Sequence, residues 1–210
     1  TRLEGNADAT FHVGKRWGTT LLAHYDKSLK MHDSNDDGFA DMPKTQQYNF
    51  MNRWNYQGER YAFQAGVKFL AEDRESGQVE HGGVALQNPY NINIDTRRYE
   101  AFTKNSYTFD QEHGTNMALI LSASWHDQDA LYGARIFDVK QQNTYASLLF
   151  ETQFDHHHNL SAGLSFNHDG YRRHYRLEHN ASLPLENNKE HENVGGAYVQ
   201  YTMNLHDKFV

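Results

Sequence analysis

Tyr61-Ala-Phe63-Gln-Ala65-Gly-Val67-Lys-Phe69-Leu-Ala71 is the stretch that decides the fold. Tyr61, Phe63, Ala65, Val67, Phe69 and Ala71 occupy every second position, opposed by Arg60, Gln64, Lys68 and Glu72. A helix would scatter that row around its circumference. A strand gathers it on one face, because successive side chains point to opposite sides. The device recurs outward in both directions. Ala7, Ala9, Phe11 and Val13 alternate, then Trp17, Thr19, Leu21, Ala23 and Tyr25, then Tyr48, Phe50, Trp54 and Tyr56. Further on come Met117 to Trp125, Leu160 to Phe166, and Ala197 to Leu205. Two rows are broken: Tyr99, Ala101, Tyr107 and Phe109, and Ala146, Leu148, Phe150 and Phe154. The pattern predicts about nine strands, with a tenth starting at Lys208.

The connections between these rows alternate in length. Gly14–Arg16, Gln57–Glu59, Asp110–Gly114, Asp155–Asn159 and His206–Asp207 are short. Lys30–Thr45, Asp73–Arg97, Asp127–Val139 and His168–Asn193 are longer. Every second connection of an up-and-down sheet lies on the same rim, so one rim carries tight turns and the other long loops. Membrane-spanning barrels of the outer-membrane type are built that way, whereas compact domains favour connections of about 4–6 residues. Trp17, Trp54, Tyr56, Tyr61, Tyr107, Phe109 and Phe154 gather near the tight turns, where an interfacial ring belt belongs.

Composition agrees with a wet barrel. Only 38% of the 210 residues are hydrophobic and mean hydropathy is −0.88, yet aromatics reach 13%. Disordered chains are poor in aromatics. The row opposite the apolar one carries His, Asn, Gln, Arg, Lys and Glu, too polar for a dry core. No apolar run approaches the roughly 18 residues of a membrane helix, the longest being Met117–Leu121. A formal charge of −7 disfavours nucleic acid as a partner. With no cysteine there is neither a disulfide nor thiolate chemistry. The expected fold class is therefore all-β, an antiparallel up-and-down transmembrane β-barrel segment. It forms one domain over 1–210, with no separate second domain. An odd count of complete strands predicts that the segment belongs to a larger barrel, since single-chain bacterial barrels have even counts. An incomplete barrel leaves unpaired edges, so the segment is not expected to fold alone.

His32-Asp-Ser-Asn-Asp-Asp-Gly-Phe-Ala-Asp-Met-Pro43, followed by Gln47-Tyr-Asn-Phe-Met-Asn-Arg-Trp54, resembles TonB-dependent outer-membrane receptors. So does Arg98-Tyr-Glu-Ala-Phe-Thr-Lys-Asn-Ser-Tyr-Thr-Phe109, continuing through Tyr132-Gly and Tyr145-Ala-Ser-Leu. The resemblance covers most of the chain and implies the middle strands of a barrel of about 22 strands. It implies import of a scarce chelate, a ferric siderophore or cobalamin, captured at extracellular loops. The implied partners are outer-membrane lipid, the chelate itself and the inner-membrane TonB coupling protein, reached through a plug. The implied location is the outer membrane of a Gram-negative bacterium.

Asp33-Ser-Asn35-Asp-Asp37-Gly38-Phe-Ala-Asp41 is the sharpest local motif. Oxygen ligands at positions 1, 3, 5 and 9 with glycine at 6 match a calcium loop. Asp33, Asn35, Asp37 and Asp41 are thus candidate calcium ligands, although Lys44 stands where the bidentate Glu belongs. The plainer reading is a solvated tip built on Asx turns. His156-His157-His158 falls on a tight turn and reads as solvated. His168, His174, His179 and His191 fall in or near one long loop without recognisable ligand spacing, and Tyr132, Phe137, Tyr171 and Tyr175 are candidate ligand contacts. His126, Asp127 and Asp129 resemble the carboxylate–His pairs of barrel hydrolases, but no Gly-x-Ser-x-Gly elbow accompanies them. Catalysis is not expected. A passive porin or small barrel is the main rival, and a soluble β-domain the next.

Overall fold

The computed structural model describes residues 2–80, 86–177 and 184–204. Leu205, the turn at His206–Asp207, the strand expected at Lys208 and the candidate His179 lie outside these. Nine strands follow one another: β1 (Arg2–Val13), β2 (Trp17–Ser28), β3 (Lys44–Gln57), β4 (Tyr61–Gly77), β5 (Asn91–Asp110), β6 (Thr115–Tyr132), β7 (Arg135–Asp155), β8 (His158–Leu177) and β9 (Pro184–Met203). They form a single sheet in chain order, every pair antiparallel. Each strand pairs with the one before and the one after, as expected of an up-and-down wall.

The register puts the apolar rows on one face. Phe50 pairs with Phe69, Phe69 with Tyr99, and Tyr99 with Trp125. Leu119, Leu148, Leu164 and Ala197 continue a lower rung. Directly opposed residues share a face, so a slip of one residue would turn this whole set over. Among the described residues no second layer covers it. Val67 is 54% exposed, Leu164 60% and Val199 76%, and Ala130 alone is a buried hydrophobic among the described residues. A sheet packed against a second layer buries large side chains between the two; here both faces lie open.

The strands are longer than their apolar rows. The connection expected over Asp127–Val139 shrinks to the pair Gly133–Ala134, because β6 and β7 run on beyond the apolar zone as a paired ribbon. Those residues alternate less in hydropathy but still pair, with Lys140 Nζ 2.8 Å from Asp127. The strands likewise run into the connections expected over Asp73–Arg97 and His168–Asn193, β4 to Gly77, β5 from Asn91, β8 to Leu177 and β9 from Pro184. Polar cross-strand pairs sustain a ladder that hydropathy alone does not signal.

Turns on the tight rim are tied by local acids. Asp110 accepts from the Glu112 amide at 2.9 Å and lies 2.7 Å from His113 Nδ1. The hydrogen bond to His113 holds the Asp110 carboxyl below its usual range and, reciprocally, raises His113. Asp155 is lowered by the His157 amide, which donates to it at 2.7 Å.

Candidate functional site

Two aromatic belts cross the apolar face. One lies near the tight turns: Trp17 against Tyr56 at 4.9 Å, Tyr56 near Tyr61, and Tyr107 against Phe109 at 5.1 Å. The other was not anticipated: Tyr25 against Tyr48 at 5.0 Å, Phe69 against Tyr99 at 5.2 Å, then Trp125. The same offset separates the belts on four successive strands, Trp17 to Tyr25, Tyr56 to Tyr48, Tyr61 to Phe69 and Tyr107 to Tyr99. Eight residues at about 3.3 Å each, tilted by about 40°, span roughly 20 Å of height. Between β3 and β4 both belts step two residues along the register, Tyr48 pairing with Ala71 rather than Phe69. A level belt on tilted strands must step in this way.

The opposite face is hydrophilic and cross-braced. Asp169 accepts from Gln141 at 3.0 Å and from Asn143 at 2.9 Å, while Gln141 also donates to Tyr171 at 2.7 Å. Nearer β1, Arg2 reaches Asp26 at 2.8 Å and His24 meets Asn6 at 2.7 Å. Phe137, Tyr171 and Tyr175 stand on this face toward the long-loop rim, with Phe137 and Tyr175 edge to face at 6.4 Å. Tyr132 shares it by register. The four aromatic candidates thus fall on the polar face, and three of them near Arg173, which is paired with Glu190.

The first two loops of the long rim are latched together. The Ala40 amide donates to the Gly77 carbonyl at 2.8 Å and the Val79 amide to the Gly38 carbonyl at 3.0 Å, bridging Phe39 and Gln78. Gly38 has φ +83° and Gly77 φ +125°, both reserved for glycine.

Asp33, Asn35, Asp37 and Asp41 share the 33–41 turn of the first loop. Their oxygens serve backbone amides: Asp33 accepts from Gly38 at 2.8 Å, Asp37 from Phe39 at 2.8 Å, Asp41 from Ser34 at 2.7 Å and Asn35 from Asp37 at 3.2 Å. Desolvation works to raise Asp33, but the amides of Gly38, Asp36, Asn35 and Asp37 outweigh it and hold the carboxyl low. Among the described residues no three His, Cys, Asp or Glu side chains are grouped to hold a metal.

The histidines separate. His157 and His158 close the β7–β8 turn against Asn204 and Tyr201. His168, His174 and His191 belong to paired strands rather than a loop, on the apolar side of the sheet. His126 and Asp127 are neighbours on one strand and point to opposite faces, with Asp127 taken by Lys140. Asp129 shares the face of Asp127, away from His126, so no carboxylate–imidazole pair assembles there.

No family model matches this sequence, and no curated protein does. Solved structures do. The fold is similar to the ferric yersiniabactin uptake receptor FyuA from Yersinia pestis, with TM-score 0.56 at 10% identity over 95% of this chain and 34% of that one. It is also similar to the siderophore receptor PiuA from Acinetobacter baumannii, with TM-score 0.53 at 12% identity over 95% of this chain and 39% of that one. The chain therefore spans little more than a third of these structures. At such identities the likeness is one of fold, an up-and-down antiparallel wall shared with receptors.

Proposed function

We propose that the chain is a stretch of barrel wall from an outer-membrane receptor of a Gram-negative bacterium, importing a ferric siderophore or a similar scarce chelate. The observation that carries this reading is the uncovered apolar face bounded by two level aromatic belts. A soluble sheet has no use for such a face, because exposed apolar area of this extent drives association. Acyl chains satisfy it, and the belts sit at the two interfaces. The polar face then borders an aqueous bore. Phe137, Tyr171 and Tyr175 stand on that face toward the looped side, ring surface suited to contact with a chelate entering there. The names of the two solved neighbours favour iron chelates over cobalamin as cargo. Concentrative uptake requires energy from the inner membrane, for which a TonB-type partner acting through a plug is the proposed source.

The test is radio-iron uptake by an iron-starved Gram-negative host carrying or lacking the complete receptor. Uptake is expected only with the receptor and is expected to stop when a protonophore collapses the inner-membrane gradient. Uptake that continues in de-energised cells would instead identify a passive pore.

Calcium at Asp33, Asn35, Asp37 and Asp41 is a further proposal, resting on the sequence pattern. These oxygens would have to leave their backbone amides to coordinate the ion, so the expected affinity is low, at the millimolar end for such loops. Protease should cut the 33–41 loop of the intact receptor more slowly in millimolar calcium than in chelator; equal rates would mean that the Asx turns alone hold it.

A further inference from the structure

On the apolar face, one step beyond the second belt, charge replaces hydrocarbon abruptly. The register row there reads Arg97, Asp127, Lys140, Arg172, Lys189, four cations and one anion on β5 to β9. Asp127 engages Lys140 at 2.8 Å and Asp95 engages Arg97 at 3.3 Å. Among the described residues no ion pair forms at Arg172 or Lys189. Both line a cavity of about 370 Å³, with Trp125 and the rings of His168 and His191, stacked at 5.8 Å and 15°, also in its wall. Gly170 lets the His191 ring lie close over its backbone, with Nδ1 3.2 Å from where a Cβ would stand.

A second hollow of about 450 Å³ lies beneath, on the same face and on β5 to β8. Ala101, Ala123 and Ala146 withdraw side-chain bulk there, and Phe166 walls one side. Ala101 and Ala123 are register partners one rung below Tyr99 and Trp125. An apolar groove therefore leads along the strands up to a basic, aromatic-walled pocket. Groove and pocket match the two ends of one molecule: an acyl chain in the first and a phosphate between two uncompensated cations in the second.

We propose that this face holds a phosphate-bearing lipid of the surrounding leaflet, its phosphate at Arg172 and Lys189 and an acyl chain over Ala123 and Ala146. The site rests on the membrane reading above. The experiment is native mass spectrometry of the complete receptor in detergent, with dioleoylphosphatidic acid, dioleoylglycerol and inorganic phosphate as separate probes. Phosphatidic acid should bind, and about thirtyfold more weakly to the double variant Arg172→Ala/Lys189→Ala, as expected from two basic contacts with an anionic surface. Ala146→Leu, which fills the groove, should weaken it too, while Lys104→Ala on the polar face should change nothing. Diacylglycerol binding as tightly as phosphatidic acid would overturn the proposal, because the headgroup would then go unread. Inorganic phosphate binding as tightly would overturn it as well, marking a free-anion site. A receptor that needs detergent but binds the lipid equally in all variants sinks the lipid site alone. A complete protein that stays dispersed without detergent sinks the membrane reading itself.

Discussion

Leu121→Arg should cost the complete protein about 2–4 kcal/mol of folding stability in lipid vesicles, the range for a cation at the midplane of a barrel's lipid face. Leu121 lies midway between Met117 and Trp125 on β6, with Thr103 and Ala146 as its ladder partners. A guanidinium there is too far from either belt to reach water along its own stem. Ser124→Arg provides the contrast only three positions away. Ser124 points to the opposite face and pairs with Glu100 and Asn143, so the new cation meets water and a carboxylate. Its expected effect is within about 0.5 kcal/mol, as for an ordinary exposed site. Urea titration of both variants in vesicles measures the difference. Equal losses would mean that the face carrying Leu121 does not touch lipid.

Gly77→Ala should be the most damaging single methyl on the looped rim. At φ +125° an added Cβ would stand 2.1 Å from the Tyr90 carbonyl oxygen and 3.0 Å from Asn91 Cα. Both are backbone atoms, and the Gln78 amide donates to that same carbonyl at 2.8 Å, so relief requires opening the base of the β4–β5 hairpin. A cost of about 2–3 kcal/mol follows from the strained dihedral together with the clash. The Gly77 carbonyl also holds Ala40, so the loss should reach the neighbouring loop. Amide exchange at Ala40, Gln78 and Val79 should accelerate together. Gly38→Ala, with φ +83° and nothing within 4 Å of its Cβ, should cost only about 1 kcal/mol. Unchanged exchange at Ala40 in the Gly77 variant would show that the latch is not cooperative.

The strands were legible because one face of each is apolar and the other polar over five or six residues, as in Tyr61–Ala71. The nine expected strands correspond to the nine observed, in the expected order. What hydropathy did not reveal was their full length. Beyond Trp125 and Tyr99 charged residues such as Asp127, Asp129 and Asp138 break the apolar alternation, so Asp127–Val139 looks like a loop although Asp127 and Lys140 are cross-strand partners. The second belt was missed for a different reason. Tyr25, Tyr48, Phe69, Tyr99 and Trp125 are far apart in sequence, and only the register aligns them; the eight-residue distance of the first four from the first belt was the available signal. The basic pocket was hidden likewise, because Arg172 and Lys189 become neighbours only through the β8–β9 pairing. The motif at Asp33–Asp41 was visible, but ligand spacing and an Asx-turn tip share one sequence signature, and here the amides claim the oxygens.

The ribbon of β6 and β7 continues past Trp125 for seven residues before Gly133 turns it, nearly as far again as the distance between the belts. On the membrane reading, a molecule approaching from outside enters a chimney whose protein walls rise about 18 Å clear of the hydrocarbon. On that reading its first contacts are with the amide and ring surface of that chimney, above the depth at which lipid begins. The part of the wall that meets the environment is thus the part free of the apolar constraint, and its chemistry is at liberty to diverge while the stretch between the belts is not.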